Sequence, residues 1–191
     1  MEHISHSVCV LRLRFALGWL LLAMMGQAWA QGPGAGLERQ VKAAYLFKFA
    51  GFVEWPETSF ARPDSPLLIG VAGSEQLAEQ LERTVVGRNV NGHPLRVRRI
   101  QGGDALAELH ILFLDSSLDR AALGALLAAA RGQSLLTVSD AGEAMDLGCM
   151  INFVVADAKL RFDVLLQHVP PSRLRISARM LAVAHRVQGA T

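Results

Sequence analysis

The stretch "LHILFLDSSLDRAALGALLAAARGQSLLTVSDAG", Leu109 to Gly142, decides the fold. "LHILFLD" is a continuous apolar run, as expected of a strand covered on both faces. "SSLDRAALGALLAAARG" then reads as a helix, with Ser116 and Asp119 at capping-box spacing and Gly132 placed to end it. "SLLTVSDAG" is a second buried strand running into a turn. Strands with no solvated face need helices above and below them.

The flanks extend this pattern. Upstream, "PLLIGVAGS", Pro66 to Ser74, is a short apolar strand and Gly turn, and Ser74 caps a helix with Leu77, Ala78 and Leu81 on one face. "RNVNGHPLRVRRI" carries a turn signal at Asn91-Gly92 and then alternates Leu95 and Val97 against arginines, the pattern of a strand with one solvated face. Downstream, "CMINFVVAD" and "KLRFDVLLQHV" meet at Asp157-Ala158. The period-two alternation of Leu160, Phe162 and Val164 makes them a β-hairpin. Pro170-Pro171 interrupts the chain, and "SARMLAVAHRV", Ser177 to Val187, reads as a final helix capped by Ser177. The fold class is therefore α/β, a single-domain sandwich of a mixed sheet with helices on both faces.

A second stretch raises a different question. Of the chain's twelve aromatic residues, six lie in "KAAYLFKFAGFVEWPETSF": Tyr45, Phe47, Phe49, Phe52, Trp55 and Phe60. A helix is expected from Leu37 to about Glu54, after a flexible lead-in "QGPGAG", Gln31 to Gly36. Its second half is apolar almost all round, so it is buried on several sides or covered by a partner. Pro56 holds Trp55 away from helical angles and ends it. Most of these aromatics read as core between the sheet and the last helix. Trp55 and Phe60, near the end, are candidates for a partner surface.

The first thirty residues read as a secretory signal. Arg12 and Arg14 precede the apolar "FALGWLLLAMM", and "AWA" offers a small-x-small site with cleavage after Ala30. The alternative is an uncleaved anchor, but the apolar run is shorter than the ~20 residues of a spanning helix. The domains expected are thus a signal at 1–30 and an α/β domain at 31–191, with the mature protein in a bacterial periplasm. The formal charge of the whole chain is +2, and near neutrality argues against a nucleic-acid partner. Of the two cysteines, Cys9 leaves with the signal. Cys149 then has no intramolecular disulfide partner.

The residues give no set for catalysis and imply no cofactor. "GVAGS" lacks the spacing of a phosphate loop and of a nucleophile elbow. His93, His110, His168 and His185 lack metal-ligand spacing. Asp140, Glu143 and Asp146 read as a solvated loop. Cys149 is either a buried inert thiol or a redox-active one. "RLRISAR" places Arg173, Arg175 and Arg179 around the Ser177 cap, where backbone N–H groups favour anions. Arg175, Ser177 and Arg179 are candidate ligands for a small anion. The competing reading has these arginines solvated or paired with Asp163 and Glu54.

Two blocks carry a resemblance. "VKAAYLFKFAGFVEWP", and "GCMINFVVADAKLRFDV" with the later "LRISARMLAVA", resemble the YfiR family of small periplasmic regulators across essentially the whole mature chain. The resemblance implies a non-enzymatic repressor that binds the periplasmic sensor region of an inner-membrane diguanylate cyclase. Such a repressor lowers cyclic-di-GMP output and biofilm formation, and an outer-membrane lipoprotein relieves it. It also implies a homodimer sensitive to disulfides, although internal redox gating is in doubt with Cys149 unpaired. Asn152, Arg161, Ser177 and Arg179 are carried over as motif positions. A periplasmic anion-binding protein without a cyclase partner is the alternative function.

Overall fold

In the computed structural model, which describes residues 33–189, the apolar runs lie side by side inside one sheet. Helix α1 is Pro33–Phe52 and strand β1 is Val53–Glu54. Then come β2 (Leu67–Ala72), α2 (Glu75–Val85), β3 (Asn89–Val90), β4 (His93–Ile100) and β5 (Ile111–Leu114). Helix α3 (Arg120–Ala130) leads to β6 (Leu136–Ser139), and β7 (Ile151–Ala156) turns into β8 (Lys159–Leu165). The chain ends with β9 (Arg175–Ile176), α4 (Ala178–Leu181) and β10 (Arg186–Gln188). Contacts gather the chain from Glu38 onward into one body. The described residues 33–37 are helical and fall in a separate unit.

The main sheet has eight strands in the order β10-β8-β7-β6-β5-β2-β4-β3. From β4 through β7 the neighbours run parallel, and the β3–β4 and β7–β8 hairpins add antiparallel pairs. Both hairpins turn through residues of positive φ, Asn91-Gly92 and Asp157-Ala158, as tight two-residue turns require. β1 and β9 form a separate antiparallel pair.

Alternation sorts the strand residues onto two cores. On one face Leu46, Phe49 and Ala50 of α1 and Leu77 and Leu81 of α2 pack on Ile69, Val71, Phe113, Phe153 and Phe162. On the other, Leu123 and Leu127 of α3 pack on Leu112, Leu114, Ile100 and Cys149. Each buried large apolar side chain contributes roughly 1.5–3 kcal/mol relative to exposure.

The mixed sheet with helices on both faces is as the sequence reading expects, and four local expectations are corrected. The helix expected from Leu37 begins at Pro33, inside the stretch read as a flexible lead-in. Proline suits a first helical turn, where its missing N–H is not needed. α1 stops at Phe52, because Val53 and Glu54 pair with Ile176 and Arg175. Asp119, not Ser116, caps α3, its carboxylate accepting from the Ala122 N–H at 2.8 Å. The final helix is only four residues long. After it His185 donates its N–H to the Phe162 carbonyl, and β10 joins β8 in parallel. The free edge of β8 offers hydrogen bonds that two more helical turns would leave unmade. The signal peptide of residues 1–30 lies outside the described residues.

Candidate functional site

The turn after α1 is an aromatic corner. Pro56 leads into a short 3-10 turn, Glu57–Ser59, which returns Phe60 to the body. Trp55 is half-buried and its indole N–H donates to the His110 carbonyl at 3.1 Å. Phe60 lies between two imidazoles, with ring centroids 3.8 Å from His93 and 4.4 Å from His110. His110 is buried, and its Nδ1 accepts the Leu68 N–H at 3.2 Å. Burial lowers its pKa to about 4, because an apolar surround disfavours the charged ring. Its Nε2 and the Ser59 hydroxyl are buried without a hydrogen-bond partner. The rings proposed from sequence for a partner surface are therefore already engaged within the chain. Neither histidine of this stack was singled out by spacing.

The basic segment forms a second corner where β9 pairs with β1. Arg175 faces Glu54 at 3.9 Å, with both side chains largely in solvent. The Ser177 hydroxyl accepts the Met180 N–H at 3.3 Å, and the Ser177 N–H donates to the Phe52 carbonyl at 2.9 Å. Arg179 is exposed on α4. Ile176, Met180 and Leu181 anchor this corner in the core of the α1 face.

Asn152 and Arg161 alternate with Phe153 and Phe162, whose rings pack in that core, and so fall on the opposite face of the sheet. The structure brings Arg175, Ser177 and Arg179 to one corner and does not bring Asn152 or Arg161 there. Asn152 sits across from Asp163, and Arg161 across from Val154. Asp163 does not pair with an arginine of the basic segment. Its carboxylate meets His185 Nδ1 at 2.9 Å.

Sequence reasoning missed a buried ion cluster. Lys42 Nζ lies 2.5 Å from both Asp140 and Glu38, with only 10% of its side chain exposed. Asp140 also accepts the Ser116 N–H at 2.6 Å. Burial lowers the Lys42 pKa, but the hydrogen bonds to Asp140 and Glu38 outweigh it and hold the ammonium above its ordinary value. Asp140 thus corrects the solvated-loop reading of that segment. The ammonium sits at the carboxyl ends of β5 and β6, where open α/β sheets commonly take ligands. The chain's own lysine answers the acidic group there. The available signal was a lysine opening an apolar helix, but nothing local names its partner 98 residues away.

Cys149 is fully buried, its thiol donating to the Ile151 carbonyl at 3.2 Å, and burial pushes its pKa up to about 12. That is the setting of an inert thiol, and a redox role requires local opening first.

Among the described residues no group of three His, Cys, Asp or Glu could hold a metal ion. No helix among them is long and apolar enough to cross a membrane. The described residues form a packed α/β sandwich whose buried lysine, Asp140 and Trp55 indole are all engaged within the chain. The pattern of the YfiR/HmsC-like family matches residues 39–185, and the chain belongs to that family. The family is one of periplasmic regulators, not catalysts, tied to cyclic-di-GMP signalling through cyclase partners. No curated protein matches the chain.

Proposed function

We propose that this chain is a periplasmic repressor. It binds the periplasmic sensor region of an inner-membrane diguanylate cyclase and lowers cyclic-di-GMP, and an outer-membrane lipoprotein withdraws it. The observation that carries this reading is the family match, which spans residues 39–185 and so covers nearly all of the body that begins at Glu38. We place the docking surface around the aromatic corner, with Trp55 and Phe60 at its rim beside Phe52, which is 37% exposed. In this reading a homodimer forms without a Cys149 bridge, since the thiol is buried.

Deleting the gene should raise cellular cyclic-di-GMP, and exported protein should co-purify with the sensor region. An unchanged nucleotide level in cells that demonstrably express the protein would sink the repressor reading. Trp55→Ala tests the surface. If Trp55 anchors the partner, binding by the folded fraction should weaken about tenfold or more. A variant that unfolds earlier but binds normally would move the surface elsewhere.

A further inference from the structure

Below the start of β6 lies a cleft of about 420 Å³, within the usual range for small-molecule sites. Leu127, Ala130, Met150 and Pro171 supply apolar walls, and no acidic side chain lines it. Two cationic or cationisable side chains converge at its mouth. A Cβ built on Gly148 would lie 4.0 Å from Arg131 Nη2 and 3.8 Å from His168 Cε1. Gly148 has φ +103°, a conformation that favours glycine, so no side chain is expected to stand between these two groups. Thr137 and Ser172 line the cleft, but their hydroxyls already serve the Met150 and Leu174 N–H groups.

Arg131 is the unspent group. Among the described residues its guanidinium makes no ion pair or hydrogen bond. His168 meets only the exposed Gln167 side chain, at 3.3 Å. Arg131 caps α3, where any cation gains from the helix dipole. That gain does not account for His168 turning to the same point above an acid-free apolar cleft.

We propose that this cleft binds a small monocarboxylate with an apolar body. A guanidinium matches a carboxylate in a planar, two-point contact. Predominantly apolar walls suit a hydrocarbon body and disfavour a phosphate dianion, which would strand charge there. No lining residue belongs to the β1–β9 corner, so the proposal stands apart from the anion reading of Arg175, Ser177 and Arg179. It does not rest on the cyclase.

The test is an NMR titration of the exported protein with phenylacetate and hexanoate, against phenylacetamide and hexanamide. The Gly132 and Gly148 amide signals report the cleft. The acids should move both signals saturably at millimolar concentration, and the amides should bind about tenfold more weakly. Arg131→Gln is an exposed, conservative change that should bring the acids to the level of the amides. Arg179→Gln should leave their binding unchanged. The proposal is overturned if neither acid moves those signals, if acid and amide bind alike, or if Arg131→Gln has no effect.

Discussion

The two faces of the sheet are packed by different means. On the α1 face Tyr45, Phe49, Phe113, Phe153 and Phe162 form a continuous ring cluster, with centroids 5.1–6.2 Å apart. These rings come from α1, β5, β7 and β8, so the cluster ties the start of the body to its distant hairpin. On the α3 face the described core holds no aromatic residue. Leucine, isoleucine and alanine fill it, and close approach sets the fit. A Cβ on Gly70 would lie 2.7 Å from Leu109 Cδ1 and 2.9 Å from Ile100 Cγ1. One face owes its specificity to ring shape, the other to lack of room. The aromatic-rich first helix is therefore a core device first.

Cutting the ring cluster should have the largest effect. Phe49→Ala is expected to cost about 3–5 kcal/mol in urea unfolding, toward the upper part of the about 2–5 kcal/mol range open to Leu127→Ala on the other face. Equal losses would erase the contrast. Phe49 and Phe162, 5.1 Å apart at 71°, should couple by roughly 0.5–1.5 kcal/mol in a double-mutant cycle.

The buried ion cluster comes next. Lys42→Met keeps the apolar stem but strips Asp140 of its cation, and should cost about 3 kcal/mol. A neutral result would mean that the Ser116 N–H suffices for the carboxylate.

His110 makes the aromatic corner sensitive to acid. Its pKa is about 4 when folded and ~6.5 when unfolded. Between those values the unfolded chain holds more protons, so stability should fall as pH drops from ~6.5 and level off below ~4. The loss is at most about 3 kcal/mol. Unfolding curves at neutral and acid pH should show it, and His110→Gln should flatten that limb. An unchanged slope would mean that the ring charges in place.

The smallest effect belongs to the crowded face. Gly70→Ala should destabilise by about 1–3 kcal/mol through overpacking. A silent substitution would show that Leu109 and Ile100 yield freely.

Much of this was legible in the chain. Period-two and continuous apolar runs placed the central strands. Asn91-Gly92 and Asp157-Ala158 marked both hairpin turns, and Ser74 and Ser177 marked two helix starts. Each signal lies within a few residues, because caps, turns and alternation are local chemistry. The candidate site was less legible. Ser177 was recognised as a cap, yet its membership in a corner with Glu54 and Phe52 depends on the β1–β9 pairing.

The same divide runs through the whole molecule. Residue order alone is enough for an α/β sandwich with an aromatic first helix, since burial preference and backbone geometry travel with each short segment. Packing alone made Arg186–Gln188 a strand, joined Lys42 to Asp140, stacked Phe60 between His93 and His110 and opened a cleft at Arg131. A sheet edge, an ion partner and a cavity are each completed by residues far away in the chain, and no local pattern can encode a neighbour that folding alone supplies.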